Sequence, residues 1–402
     1  MSGTLPTLDQ IDVAGKRVVV RADLNAPMKD GRITDDTRIR YATPTLVELA
    51  EKGAIVIVLT HFDRPQGKVV EKYSLAPFRS SLEARANRPV RFVPTDWTNG
   101  QHASILSAAQ PGDILLMENT RFHPGEEAND AQFSRTLAGL GDIFVNDAFS
   151  VSHRAHASIE GIARLLPSFA GRGMEAELVA LDRALGDPIR PVGALVGGAK
   201  VSTKIAVLEN IVRRVNVLFI VGGMANTFLH AQGVQVGRSL CEPGLGPIVE
   251  RILREAEAHN CAIVLPRDTI VARALKPGAP HEVANIHEIP DDAMILDVGP
   301  TTIADIAEGF THLQTLLWNG PVGAFEVEPF GLGTFALAKV AAQLTKSGKL
   351  LTVAGGGDTV AALAAAGVSG DFSYVSMAGG AFLEWLEGRD LPGGTILKTP
   401  RT

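Results

Sequence analysis

The sequence predicts an α/β protein of two lobes, each built on a parallel sheet, joined by a linker helix. Three observations carry this. Short, nearly continuous apolar runs alternate with helical apolar spacing along the chain, as in βαβ units whose strands are covered on both faces. At 402 residues the chain exceeds one hydrophobic core. The alternation breaks between Leu165 and Pro191.

The first lobe, residues 1–170, carries strand-like runs at Val18–Val20, Ala54–Leu59, Ile114–Met117 and Ile143–Val145. Arg38–Lys52 has helical spacing, with Leu46, Leu49 and Ala50 on its apolar side. Pro167 and Gly171-Arg172-Gly173 then precede the glycine-free stretch Met174–Leu185, and Gly186, Pro188 and Pro191 stop it. This predicts a linker helix over 171–185. Gly171-x-Gly173-x-x-Ala176 also fits a loose dinucleotide fingerprint, but no apolar strand leads into it. The second lobe, residues 186–389, repeats the rhythm with runs at Val192–Val196, Val217–Val221, Ala262–Leu265, Met294–Leu296, Thr315–Trp318 and Leu350–Val353.

Hydrophobic residues make up 46% of the chain and charged residues 20%, so it buries a large core and is not disordered. A net charge of −6 argues against nucleic acid or an anionic membrane as partner, and any anion site must be a local cluster of cations. The opening Met1-Ser2-Gly3-Thr4 carries no basic apolar leader, and no apolar run is long enough to span a bilayer. Cys241 and Cys261 are too few for a disulfide scaffold or a zinc pair. The expectation is a soluble cytoplasmic protein.

The two halves differ in the residues just beyond their strands. In the first half these segments are Arg21-Ala22-Asp23-Leu24-Asn25, His61-Phe62-Asp63-Arg64-Pro65, Glu118-Asn119-Thr120-Arg121 and Asp147-Ala148-Phe149-Ser150. Arg21, Arg38, Arg64, Arg121 and Arg154 adjoin loop signals, interleaved with His61, His123, His153 and His156. Lone arginines are usually solvated, but several at one sheet edge form a funnel for a small anion. Asp23 and Asn25 could accept hydrogen bonds from substrate hydroxyls or simply cap a turn.

In the second half glycine loops come after the strands. Gly355-Gly356-Gly357-Asp358-Thr359 opens an alanine-rich helix, which reads either as a phosphate cradle with Asp358 on magnesium or as a tight turn capped by Asp358. Lys200 and Lys204 stand one helical turn apart at a helix start, where lysine opposes the helix dipole; two ammonium groups aimed at one phosphate chain fits better. Gly222-Gly223 could wall a nucleotide or serve packing. A strict Walker A pattern is absent. Two anion sites on two lobes is the ground plan of a phosphoryl-transfer enzyme.

Together these motifs resemble phosphoglycerate kinases along essentially the whole chain. The stretches that carry the resemblance are Arg21–Pro27, Asp36–Ile39, His61–Pro65, Glu118–Phe122, Asp147–Phe149, His153–Ser158, Gly197–Lys204, Gly222–Phe228, Trp318–Glu326 and Gly355–Thr359. The resemblance implies two Rossmann-like lobes and reversible transfer between 1,3-bisphosphoglycerate plus ADP and 3-phosphoglycerate plus ATP, with magnesium. It implies that Asp23, Asn25, Arg38, His61, Arg64, Arg121 and Arg154 hold the glycerate. Lys204, Gly222, Gly223, Asn319, Glu326, Gly355, Gly356, Gly357, Asp358 and Thr359 would hold the nucleotide, with Glu326 near the ribose and Asp358 on the metal. Arg38, Lys200 and Lys204 would surround the moving phosphoryl group. It further implies a monomer, lobe closure, and a final segment, 390–402, that returns to the first lobe.

The chemistry agrees with that reading, because a carboxylate nucleophile is already ionised and needs no general base. Two departures stand out. Asp63 occupies a position that is usually glycine in the family, where it could pair with Arg64 or repel the substrate. Met377 replaces an expected hydroxyl, which predicts reduced but real activity. A non-catalytic two-lobed paralogue, or a kinase of another carboxylic acid, shares much of the pattern.

Overall fold

The computed structural model describes residues 5–95, 97 and 102–398. The opening Met1–Thr4 and the last four residues of the returning segment lie outside them. The chain divides into two compact units, residues 1–178 with 390–402 and residues 179–389. No helix among the described residues is long and apolar enough to cross a membrane.

The first unit contains β1 (Arg17–Ala22), the short hairpin β2 (Met28–Lys29) and β3 (Arg32–Ile33), α1 (Thr37–Glu51), β4 (Ile55–Leu59), α2 (Phe78–Ala86) and β5 (Val90–Val93). It continues with α3 (His102–Ser107), β6 (Ile114–Met117), α4 (Ala131–Ala138), β7 (Ile143–Asp147) and β8 (Ser168–Ala170). Six strands form one sheet in the order β5-β6-β4-β1-β7-β8, every pair parallel. Alternate residues of the apolar runs feed two cores. Val18, Val20, Val56 and Val58 pack with Leu46, Leu49 and Phe78 on one face. Val19, Ile57, Leu59 and Phe144 pack with Phe133 and Leu137 on the other. Burial on both faces is why these strands read as unbroken apolar runs.

The chain leaves β1 toward β4 on one side, and β7 joins on the other. Loops beyond the carboxyl ends of β1 and β7 therefore diverge around a crevice, the usual ligand position in such sheets.

The helix α5 (Arg172–Leu181) continues as one π-helical turn, Asp182–Gly186, and the division between units falls inside α5. Then come β9 (Val192–Val196), α6 (Ile205–Ile211), β10 (Val217–Ile220), α7 (Gly223–Ala231), α8 (Gly246–Ala258), β11 (Ala262–Val264), β12 (Asp268–Ala272), β13 (His281–Asn285) and β14 (Met294–Val298). After them come α9 (Pro300–Thr311), β15 (Thr315–Asn319), α10 (Leu332–Lys346), β16 (Leu351–Gly355), α11 (Gly357–Ala365), β17 (Tyr374–Ser376) and α12 (Gly380–Leu386). The sheet order β11-β10-β9-β15-β16-β17 is all parallel and reverses direction between β9 and β15. Both units are thus Rossmann-like. Trp318, 1% exposed in β15, anchors the second core; truncation to Ala there should cost about 3–5 kcal/mol.

Two expectations need correction. Met294–Leu296 does not join the parallel sheet: β14 pairs antiparallel with β12 in a separate sheet, β13-β12-β14. In β13 only Ala284 is buried, a one-sided pattern that suits an antiparallel sheet. Gly171 does come after a strand, the three-residue β8, but a Cβ there would lie 2.4 Å from Asp147 Oδ1, so this glycine packs against Asp147.

The last segment forms α13 (Pro392–Lys398) within the first unit. Asn146 Nδ2 donates to the Gly393 carbonyl at 3.1 Å, and Gly393 N donates to the Ser152 carbonyl at 2.9 Å.

Candidate active site

In the first unit the strand-end loops are tied together by one hydrogen-bond chain. The Asp23 carboxylate, beyond β1, accepts from Arg38 in the first turn of α1 and from Ser150 beyond β7. Its other oxygen accepts from Asn25 N at 3.1 Å. Asn25 Oδ1 accepts from Asp63 N at 3.2 Å, and the Asp63 carbonyl accepts from Arg121 Nη1 at 2.7 Å. Loops after β1, β4, β6 and β7 thus meet through Asp23, Asn25, Asp63, Arg121 and Ser150, with Arg38 of α1 joining at Asp23.

His61 sits inside this ring, 4% exposed, with Nδ1 3.0 Å from Arg21 Nη2. Burial, then the fields of Arg21, Arg121, Arg38 and Arg154, hold its pKa well below the usual histidine value. Burial and Arg121, Arg21 and Arg154 push His156 down to about 3. Both rings are neutral at pH 7, so the cationic charge resides on the arginines. Such a set of forked donors suits a small carboxylate or phosphate.

Not every basic residue joins. His123 stacks on Phe133 with ring centroids 4.0 Å apart and accepts from Gly125 N at 3.0 Å, so it belongs to the packing of α4. Arg64 and Asp63 both have exposed side chains. Asp63 has φ +52°, a left-handed conformation that glycine adopts without cost, and it forms no ion pair among the described residues.

In the second unit the loops beyond β9 and β15 interlock. A Cβ on Gly197 would lie 1.9 Å from the Pro321 carbonyl oxygen, and one on Gly320, at φ +103°, would lie 2.3 Å from that of Gly197. Only glycine permits this approach. Lys204 Nζ crosses the join, donating to Gly197 O at 2.7 Å and Asn319 Oδ1 at 2.6 Å. Burial pulls its pKa down to about 8, partly offset by Asp358. Asn319 Nδ2 donates to Gly355 O at 2.7 Å; Thr359 Oγ1 accepts from Gly320 N at 2.7 Å and donates to Gly355 O at 2.8 Å. The side chains of Asn319 and Thr359 therefore brace the loops after β15 and β16.

A cavity of about 350 Å³ opens beside these loops, lined by Gly222, Gly223, Leu296, Pro321, Glu326 and Asp358 among others. Gly355 and Gly356 are buried, and Gly357 is exposed at the start of α11. Asp358, the second residue of α11, is exposed at the positive end of that helix. Asp358 at that helix start is a carboxylate of the kind that suits magnesium, which keeps its waters and takes the remaining ligands from substrate phosphates. The two lysines separate: Lys204 is held in the cluster, whereas Lys200 is exposed beside Glu242, whose carboxylate accepts from Ser202 N at 3.0 Å and Ser202 Oγ at 2.5 Å. Met377 is half-buried between β17 and α12; the hydroxyl of neighbouring Ser376 is taken by Ala378 N at 3.2 Å.

Sequence reasoning did not single out Ser150, Glu126, Ser158 or Asp297. Asp297 lines the cavity and accepts from Val298 N at 2.9 Å and Gly333 N at 2.8 Å; burial pushes its pKa up to about 7. Nothing in the run Met294–Val298 sets that acid apart from a surface one.

A family model described as phosphoglycerate kinase matches residues 8–389. Proteins named phosphoglycerate kinase from Rhizorhabdus wittichii and Rhodopseudomonas palustris are each 57% identical, over 393 and 398 residues. The matches cover 98% and 99% of this chain, and 99% and 100% of theirs. Among solved structures, a phosphoglycerate kinase from Coxiella burnetii superposes with a TM-score of 0.91 at 42% identity, covering 98% of each chain. One from Pyrococcus horikoshii gives 0.80 at 29%, also covering 98% of each chain. With the match running over nearly its whole length, the chain belongs to the phosphoglycerate kinase family and transfers a phosphoryl group reversibly between 1,3-bisphosphoglycerate with ADP and 3-phosphoglycerate with ATP.

Proposed function

We propose that the first unit holds the glycerate substrate, the second holds the nucleotide, and transfer is direct, in line and magnesium-dependent. The observation that carries this is the ring of Arg21, Arg38, Arg121 and Arg154 around a neutral His61. In the ATP-consuming direction the nucleophile is a carboxylate, ionised at neutral pH, so no base is needed. Positioning and charge neutralisation then carry the rate.

Asp23 and Asn25 orient the glycerate, while Arg38, His61, Arg64, Arg121 and Arg154 bind its anionic groups. On the nucleotide side Gly222, Gly223 and Glu326 line the cavity, with Glu326 near the ribose. Gly355, Gly356 and Gly357 let main chain approach the phosphates, and Asn319 and Thr359 hold that loop in place. Arg38, Lys200 and Lys204 supply positive charge to the phosphoryl group in transfer. Magnesium, held by Asp358, would neutralise charge on the nucleotide phosphates. The protein works as a monomer in the cytoplasm, with no nucleic-acid or membrane partner. Nothing in the relatives favours a non-catalytic paralogue or a kinase of another acid.

A coupled assay with 3-phosphoglycerate, ATP and magnesium tests the reading, with acetate and aspartate as rival acceptors. Turnover on 3-phosphoglycerate alone, lost without metal, is expected. Arg38→Ala and Lys200→Ala should each cut kcat about a hundredfold with small effects on the KM for ATP. A Lys200→Ala enzyme that kept most of its turnover would remove that residue from the mechanism.

A further inference from the structure

We infer that Glu126, acting through Ser158 and Arg21, is a positioning residue that fixes His61 as a neutral donor at Nε2. The inference rests on the reading of His61 as a glycerate-binding residue.

The direction of each hydrogen in the network is determined. A guanidinium has donors only. The 3.0 Å contact between Arg21 Nη2 and His61 Nδ1 therefore makes Nδ1 the acceptor. In a neutral ring the proton then sits on Nε2. The Arg21 Nε–H donates to Ser158 Oγ at 2.9 Å, and its third edge donates to the Ala22 carbonyl. Ser158, with an acceptor site occupied by Arg21, gives its own proton to Glu126 Oε1 at 2.5 Å. Glu126 also accepts from Ser158 N at 3.0 Å. Every hydrogen along Arg21–Ser158–Glu126 points toward the carboxylate.

All members are buried: Arg21 is 1% exposed, Ser158 and Glu126 0%. A buried guanidinium needs compensating charge, and Glu126 supplies it, supporting the ionised state of Arg21. Without that carboxylate the Ser158 hydroxyl loses its charged acceptor and the buried, still charged Arg21 is held less firmly, so Nδ1 loses its fixed donor. His61 would then populate both tautomers, presenting a donor or an acceptor to the site. An anion is repelled by a ring nitrogen lone pair, so only the Nε2–H form serves the glycerate.

Nitrogen-15 NMR of the full-length protein at pH 7 reads the tautomer directly. The wild type should show His61 protonated at Nε2 and unprotonated at Nδ1. Glu126→Gln, similar in shape but neutral, should give a mixture of tautomers. It should also raise the KM for 3-phosphoglycerate about tenfold, with the KM for ATP within about twofold. Glu126→Asp should restore both readouts in part. A wild-type ring protonated at Nδ1 overturns the inference, and so does Glu126→Gln with unchanged tautomer and KM. The wild-type spectrum keeps the test valid should Glu126→Gln fail to fold. His61→Gln, whose amide stands near Nε2, should keep more 3-phosphoglycerate affinity than His61→Asn. If neither variant moves that KM, His61 does not bind glycerate, a result separate from the tautomer measurement.

Discussion

Lys204 Nζ donates to Asn319 Oδ1 across 2.6 Å, while the amide nitrogen of the same asparagine donates to Gly355 O at 2.7 Å. One residue at the end of β15 thus holds the cation beyond β9 and the glycine loop beyond β16. Lys204 is partly buried for this, and its pKa falls to about 8 from 10.5. Because the unfolded chain binds the extra proton between those values, Lys204 destabilises the fold below pH 8 and stops doing so as pH rises toward 10.5. Relative to Lys204→Met, the wild type should gain on the order of 2 kcal/mol between pH 8 and 10.5, read by urea unfolding. The variant should lose about a hundredfold in kcat. A stability difference that is flat with pH would show Lys204 to be solvated.

Asp63 places its backbone in the hydrogen-bond chain between Asn25 and Arg121 and exposes its side chain. Its conformation, φ +52°, is one that Asn tolerates and Gly adopts freely. Asp63→Gly and Asp63→Asn both remove a negative charge beside the arginine set, and both should lower the KM for 3-phosphoglycerate a few-fold. Asp63→Gly alone also relieves the backbone, but a more flexible unfolded chain offsets this, so stability should move by less than about 1 kcal/mol. Steady-state kinetics of the pair separates charge from conformation. Unchanged KM values in both would mean the carboxylate has no influence on the anion.

Asp147 ends β7 and accepts from Met174 N at 3.0 Å in the first turn of α5, with Thr45 and Gly173 also acting on the carboxylate. Burial pushes its pKa up to about 7. The folded state then binds more protons than the unfolded state between pH 4 and 7, so this group's contribution declines as pH rises through that range. Asp147→Asn keeps the acceptor and removes the charge. It should gain on the order of 2 kcal/mol over the wild type between pH 4.5 and 8, measured by urea unfolding. A gain that does not depend on pH would contradict the buried, proton-holding carboxyl.

Much of this was legible in the sequence because strands buried on both faces leave runs such as Ile55–Leu59 and Val192–Val196. The three-residue edge strands β8 and β17 leave no such run, and β13 reads as His281-Glu282-Val283-Ala284-Asn285, with one buried residue in five. The arginines were visible because they adjoin loop signals: Arg21 lies in the last two residues of β1 and Arg38 in the first turn of α1. That Arg21 is buried, with Ser158 and Glu126 behind it, was not, since charged residues usually lie at the surface. Spacing also gave Lys200 and Lys204 the same weight, although only Lys204 turns back onto the strand-end carbonyls; the 3-10 turn Val201–Thr203 separates them.

In the proposed reading Asp358 is the carboxylate that meets magnesium. No cluster of three potential metal ligands stands among the described residues. A single exposed carboxylate at the start of α11, lining the cavity, matches an ion carried in on nucleotide phosphates. Asp358→Asn should therefore raise the magnesium concentration for half-maximal rate about tenfold or more, leaving the KM for 3-phosphoglycerate unchanged. Asp358 also supports the charge on Lys204, so the same variant should lower the Lys204 pKa below its present value of about 8. The loss of a favourable charge at the helix start costs only about 0.5 kcal/mol, so a folded variant is expected. A magnesium titration at saturating ATP distinguishes the outcomes: an unchanged half-saturating concentration would place the ion on other residues.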